Sequence, residues 1–179
     1  MKYTFSDKIS SLKPSAIREI LKMTSDPNII SFAAGNPAPD AFPVEEIRRI
    51  TADILEKNPI AALQYSVTEG YTPLRNFLKE WLGSKNCFHP EFDELIVTSG
   101  GQQANELSCK VLLNEGDTLL CESPSFIGSL NAFRSYNVNL VGVDMDDDGI
   151  NLERLENALK TEKNVKILYL IPNFQNPPG

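Results

Sequence analysis

Short apolar runs alternate with amphipathic stretches from residue 94 onward. Apolar, β-branched runs predict four strands, at 95–98, 118–121, 138–143 and 165–171. The stretches between them predict helices near 102–113 and 126–135, and another marked by Leu152, Leu155 and Leu159. Strands that alternate with helices favour parallel pairing. The sequence therefore predicts an α/β fold with three α/β/α layers and a mainly parallel sheet.

The preceding part of the chain predicts helices that begin at prolines. Residues 1–12 are polar and predict a loose arm, Pro14 begins a short helix to about Met23, and Pro43 begins the next. Ile47, Ile50 and Ile54 give that second helix one apolar face. The helix at 73–82 has one apolar stripe, which we expect to be buried. The stripe consists of Leu74, Phe77, Leu78, Trp81 and Leu82.

Composition narrows the class of protein. The 179 residues are 41% hydrophobic and 23% charged, which is typical of a globular domain. A net charge of -7 and the lack of a Lys/Arg run argue against nucleic-acid binding. We expect no signal peptide and no membrane span. The cysteines, Cys87, Cys109 and Cys121, are odd in number and form no C-x-x-C pair, so we expect reduced thiols in a cytoplasm and no metal site.

Candidate chemistry lies at the carboxyl ends of the predicted strands, where open α/β sheets bind ligands. Gly100, Gly101 and Gln102 join a strand to the start of a helix, where exposed N–H groups favour a phosphate. Phe126 follows the next strand and suits stacking on a planar ring. Asn176 follows the last, among prolines that shape a rigid turn. Taken singly, each also fits a plain interpretation: a geometric glycine turn, a core phenylalanine and a surface turn.

Five segments in order carry a resemblance to a known family. They read GNPAPDAFP at 35–43, LQYSVTEGYTPLR at 63–75, TSGGQQA at 98–104, ESPSFIGSL at 122–130 and PNFQNPPG at 172–179. This order resembles the fold-type I, class I/II aminotransferases that depend on pyridoxal 5'-phosphate. It is most similar to the branch acting on 2-aminoadipate, kynurenine, aromatic or branched-chain amino acids. The resemblance implies the aspartate aminotransferase-like fold, here incomplete.

The resemblance implies roles for individual residues. Gly101 and Gln102, with Gly100 shaping the turn, would hold the cofactor phosphate, and Phe126 would stack on its ring. Asn176 would bind the ring's phenolic oxygen and help to place the substrate carboxylate. Tyr65 would reach the phosphate of the partner subunit in a homodimer, and Gly35 would lie beside the substrate carboxylate.

The resemblance also implies what this chain lacks. Family members are more than twice as long, and the Schiff-base lysine lies in the part beyond this match. None of the eleven lysines falls in these motifs, so no catalytic residue is assigned and we expect the chain alone to be inactive. Pro178 stands where the family usually has Thr or Ser. Residues 1–60 would be the arm and the start of the small domain, and 61–179 part of the large cofactor-binding domain.

Several alternatives use the same residues. The motifs imply transfer of an amino group from an amino acid to a 2-oxo acid, but C–S lyases of the same fold share them. A regulatory protein is disfavoured because no basic helix-turn-helix precedes residue 29, and a non-catalytic structural remnant is a third alternative. The acidic run 144–149 starts like an EF-hand loop but has Leu155 at the twelfth position, so a solvated turn is favoured. A Ser-His-Asp triad would need His89, the sole histidine, and is rejected.

Overall fold

The four-stranded sheet lies in the C-terminal half of the chain. The computed structural model describes residues 3–10, 28, 30 and 37–178. Its strands are β1 (Thr118–Ser123), β2 (Asn139–Asp146), β3 (Gly149–Ile150) and β4 (Val165–Tyr169). They lie in the order β3-β2-β1-β4. Because β1 pairs in parallel with both β2 and β4, and only the short β3 is antiparallel, the predicted mainly parallel sheet is confirmed.

Helices cover both faces of this sheet. The helices of the described residues are α1 (Asp7–Ser10), α2 (Val44–Lys57), α3 (Pro59–Leu63), α4 (Thr72–Ser84), α5 (Gly101–Leu112), α6 (Ile127–Arg134) and α7 (Leu152–Thr161).

The chain forms two compact units, 1–14 with 98–179 and 15–97. The predicted helix from Pro14 to about Met23 lies outside the described residues, and the division into small and large domains at residue 60 stays a prediction. At the N-terminus, α1 replaces part of the predicted loose arm.

The core follows from the alternation of side chains along β1. Leu119 and Cys121 point to one face of the sheet, where they pack with Cys109 of α5 and Phe133 of α6. Leu120 belongs to the cluster on the other face, with Val143 of β2 and Ala158 of α7. Burying a leucine side chain contributes roughly 2 kcal/mol. The two clusters establish the three α/β/α layers that the sequence predicts.

Burial of the cysteines agrees with the prediction of free thiols. None of the three forms a disulfide, and Cys109 and Cys121 are buried whereas Cys87 is exposed. Burial raises the pKa of the Cys121 thiol, which keeps it in its neutral form. Within the described ranges, no helix combines the length and the apolar character that crossing a bilayer requires.

Two predictions about strands and helices are wrong. The run 95–98 forms no strand, and Val97 instead donates its backbone N–H to the Glu69 carbonyl at 2.9 Å. A β-branched run becomes a strand only beside a partner with unpaired backbone groups. The stripe of α4 that was predicted to be buried contains no fully buried residue, and its exposed members include Phe77 at 62% and Trp81 at 49%. Periodicity marks an apolar face but does not supply the surface that covers it.

The acidic turn and the single histidine have structural explanations. Residues 146–149 connect β2 to β3 as an exposed turn, in which Asp148 donates its N–H to the Asp146 side chain at 3.1 Å. His89 stacks on Phe92 with ring centroids 5.2 Å apart. The structure thus agrees with a solvated acidic turn, and it gives His89 a local packing role.

Candidate functional site

The glycine turn before α5 exposes the start of a twelve-residue helix. Gly100 occupies the N-cap position with φ of +87°, a conformation that favours glycine. The turn is held locally, because Thr98 Oγ1 donates to the Gly100 carbonyl at 3.1 Å and Gln103 Oε1 accepts from the Ser99 N–H at 2.6 Å. No side chain caps the helix, so its first amides are not consumed by an N-cap residue.

These first amides form a donor set that fits a phosphate. The N–H groups of Gly101, Gln102 and Gln103 have no acceptor among the described residues. Apart from the adjoining backbone, a Cβ atom built at Gly100 or Gly101 would meet no described atom within 4 Å, so the space beside these two glycines is open. The helix dipole adds partial positive charge there. The three sequence-predicted segments contain no Lys or Arg, so these amides are the donors among them that best suit an anion.

The ring of Phe126 is held beside this turn at the start of α6. Phe126 is the N-cap residue of α6, and its side chain is 38% exposed. The ring lies over Gly128, where a Cβ atom would come within 2.5 Å of ring atom Cε1. Gln102 Nε2 donates to the Gly128 carbonyl at 3.1 Å, which joins the starts of α5 and α6. The exposed side of Phe126 is therefore open to a planar ligand close to the first amides of α5.

The Asn176 turn is joined to the end of β1 by a buried pair of side chains. Gln175 Nε2 donates to Glu122 Oε2 at 2.8 Å and to the Pro124 carbonyl at 3.2 Å. Glu122 Oε2 also accepts the Ile171 N–H at 2.9 Å. Glu122 is 5% exposed and Gln175 is 7% exposed, whereas the next residue, Asn176, is exposed.

The structure thus brings the three sequence-predicted segments to one edge of the sheet. The Gln102–Gly128 bond links the first to the second, and the Glu122–Gln175 bond links the second to the third. Tyr65 belongs to the other compact unit, where its side chain is 99% exposed. Gly35 lies outside the described residues.

Sequence reasoning missed the residues that support the site. Glu122 lies in the segment at 122–130 and Gln175 in the segment at 172–179, but the sequence alone predicts a role for neither. A carboxyl group at the end of an otherwise apolar strand was the available signal, because buried polar groups require partners. Ser129 Oγ accepts from Asn105 Nδ2 and shares a second hydrogen bond with Tyr169 Oη, each 2.9 Å long, and neither bond had a comparable signal in the sequence.

The Arg75 side chain is hydrogen-bonded to residues of its own compact unit. Arg75 donates to the Leu95 carbonyl at 2.7 Å and to Glu94 at 2.8 Å, and its side chain is only 14% exposed. Arg134 is exposed, and its Nη1 donates to Asn131 Oδ1 at 3.1 Å.

The fold and the site together define a class: an α/β/α protein whose sheet edge combines helix amides, an aromatic ring and an amide-bearing turn. The chain belongs to the class I and II aminotransferase family, which matches residues 27–179. It is 44% identical to aromatic-amino-acid aminotransferase 1 of Thermococcus litoralis, over 98% of this chain and 43% of that protein. It is 46% identical to 2-aminoadipate transaminase of Thermus thermophilus, over 98% of this chain and 42% of that protein.

A solved structure supports the same assignment. The chain superposes on the kynurenine aminotransferase of Pyrococcus horikoshii, determined in complex with PMP, with a TM-score of 0.88 and 41% identity. The match covers 97% of this chain and 44% of that one. The chain therefore spans less than half the length of the relatives it matches.

Proposed function

We propose that these 179 residues provide the phosphate- and ring-binding side of a pyridoxal 5'-phosphate-dependent amino-acid aminotransferase. One observation carries the proposal: open amides at the start of α5 lie in a hydrogen-bonded assembly with Phe126 and the Asn176 turn. Such an arrangement suits a flat ring with a phosphate at one end. The reaction would move an amino group from an amino acid to a 2-oxo acid, in the cytoplasm.

Each site residue has a proposed task that follows from its chemistry. The Gly101 and Gln102 amides hold the phosphate, and Gly100 permits the turn that exposes them. Phe126 packs against one face of the ring and excludes water from it. Asn176 donates one side-chain N–H to the phenolic oxygen and the other toward the substrate carboxylate.

The remaining chemistry comes from outside these segments. When bound, the cofactor supplies an electron sink for charge that develops on the substrate Cα. None of the eleven lysines lies in the site segments, so we assign the proton-shuttling lysine to no residue of this chain. We expect this chain alone to bind the cofactor weakly and to turn over negligibly.

The partner and domain assignments are also proposals. The almost fully exposed Tyr65 supports a role in contacting the phosphate of a second subunit in a homodimer. Gly35 would leave room for the substrate carboxylate. Residues 1–60 would contribute to the small domain and 61–179 to the large one. The class of substrate is an amino acid paired with a 2-oxo acid.

Pyridoxamine 5'-phosphate is the best probe of the proposed site, because its amine does not form adducts with surface lysines. We expect saturable fluorescence-detected binding by the 179-residue chain, with much weaker binding of pyridoxamine, which lacks the phosphate. Phe126→Leu should weaken binding about 3- to 10-fold through loss of stacking. Gly101→Ala should weaken it because a methyl group fills the open space beside this glycine.

A matched substitution tests specificity. Phe92→Leu removes an exposed phenylalanine of the other unit and should leave the affinity unchanged. The proposal fails if wild-type chain does not bind the probe saturably, or if Phe126→Leu and Gly101→Ala bind as tightly as wild type.

A further inference from the structure

We infer that Glu122 and Gln175 form a positioning pair that sets the Asn176 amide relative to Phe126. The inference rests on the proposed function and deepens it. Neither side chain is placed against the ligand. Their proposed role is to hold the residue that contacts it.

The Glu122–Gln175 pair lies just beyond the end of the hydrogen-bonded ladder between β1 and β4. The pairing of β1 with β4 stops at Cys121 and Tyr169. Beyond that point, the Ile171 N–H bonds to the side chain of Glu122 instead of to a neighbouring strand. A carboxyl group on β1 therefore directs the chain that leaves β4.

The same carboxyl oxygen then holds the far side of the turn. Glu122 Oε2 accepts from Ile171 before the turn and from Gln175 after it, at 2.9 and 2.8 Å. Both ends of segment 171–175 are thereby fixed to one atom. Because Asn176 directly follows the second anchor, its backbone position is set by this pair.

A second hydrogen bond connects the turn to the segment that carries the aromatic ring. Gln175 Nε2 also donates to the Pro124 carbonyl, two residues before Phe126. The amide group of Gln175 thus bridges the segment that carries Phe126 and the segment that carries Asn176. The fit of a ligand ring between Phe126 and Asn176 would therefore depend on the separation of these two segments.

Stability alone does not favour glutamine at position 175. Its Oε1 atom is buried and has no hydrogen-bond partner among the described residues. A buried polar atom without a partner is unfavourable, and a leucine of similar size would not carry this cost. The geometry supplied by Nε2 is the feature that leucine would lack.

The test separates ring positioning from phosphate binding. The probes are pyridoxamine 5'-phosphate, its 3-deoxy analogue and inorganic phosphate, each titrated against wild type and Gln175→Leu. Wild type should prefer the 3-hydroxyl probe over the 3-deoxy probe about 10-fold, the effect of one ligand hydrogen bond. Gln175→Leu should reduce that preference to about 2-fold while its affinity for inorganic phosphate stays within about 2-fold of wild type.

Further variants test the geometry. Gln175→Asn keeps the amide but shortens it by one methylene, and should lose the preference as well. Glu122→Gln keeps an acceptor oxygen and should retain most of the preference for the 3-hydroxyl probe, whereas Glu122→Leu should lose that preference. Asn157→Leu removes an exposed amide from α7 and serves as the matched control, with no change expected.

The outcomes are distinguishable. If wild type does not bind pyridoxamine 5'-phosphate, the proposed function itself fails. If wild type shows the preference and the folded Gln175→Leu or Gln175→Asn chain retains it, only the positioning role is overturned. Loss of phosphate binding together with the preference would also overturn it, because that result indicates a general structural role.

Discussion

Two glycines shape the site for different physical reasons. Gly100 is required by its backbone, since its φ of +87° lies in the left-handed region. Gly128 is required by its neighbour, because the Phe126 ring occupies the volume that a Cβ atom would need. One glycine exposes the amides, and the other holds the ring close to the start of α6.

Gly128→Ala should displace the Phe126 ring. The added Cβ atom would lie 2.5 Å from ring atom Cε1, so the ring must rotate away from its present position. We expect pyridoxamine 5'-phosphate to bind about 3- to 10-fold more weakly, with little change in melting temperature. Gly83→Ala is the matched control, because its Cβ atom would meet only the Phe88 carbonyl oxygen at 3.7 Å. Equal binding by Gly128→Ala and wild type would contradict the role of the ring.

At the scale of elements, ion pairs connect α4 to the segment that follows it. Glu94 accepts from Lys79 and Arg75, both on α4, and from the Leu95 N–H at 2.7 Å. The hydrogen bond from Lys79, aided by the Leu95 amide, lowers the pKa of Glu94 from its ordinary value of 4.5 to about 2. The Glu94 side chain is 65% exposed, so this contribution is screened by solvent and salt.

The lowered pKa predicts a pH dependence of stability. The unfolded state binds a proton on Glu94 near pH 4.5, whereas the folded state does so only near pH 2. The stabilisation is therefore complete above pH 4.5 and is lost as the pH falls towards 2. Urea unfolding midpoints should fall less steeply with acidification in Glu94→Gln than in wild type. In Lys79→Met, NMR titration should show a higher pKa for Glu94. An unchanged pKa would contradict the assigned cause.

The position of an element in the sheet determined which apolar residues became core. The sequence predicts an apolar strand at 165–171, yet β4 lies at one edge of the described sheet, where Leu168 is exposed. β1 is less distinctive in sequence but is central, and its residues from Thr118 to Glu122 are all buried. Hydrophobicity alone does not distinguish a central strand from an edge strand, because pairing depends on the other strands present.

At the scale of the whole molecule, exposed apolar surface is the feature that we expect to govern its association in solution. Large apolar side chains are exposed on α2, α3 and α4, including Ile47, Ile60, Leu63 and Phe77. Soluble monomers rarely leave contiguous apolar patches uncovered. Exposed apolar faces of this kind are typical of surfaces that associate with other polypeptide.

Size-exclusion chromatography of this chain should detect that surface. We expect elution above the size of a 19.9 kDa monomer, or loss of soluble protein over time. The net charge of -7 opposes association, so about 0.5 M salt should increase it by screening. A stable monomer at both ionic strengths would contradict the prediction.

Local sequence was sufficient for the α/β class, the family and the two segments that follow β1 and β4, whereas the segment at 98–104 follows no strand in the structure. Helix periodicity, turn glycines and prolines act between near neighbours, and parallel strands bring their carboxyl ends to one edge. Tertiary structure alone decided that 95–98 is not a strand, that the α4 stripe contains no fully buried residue and that Glu122 meets Gln175 across 53 residues. These features depend on strand register and on which surface covers which, and neighbouring residues in the chain do not encode that information.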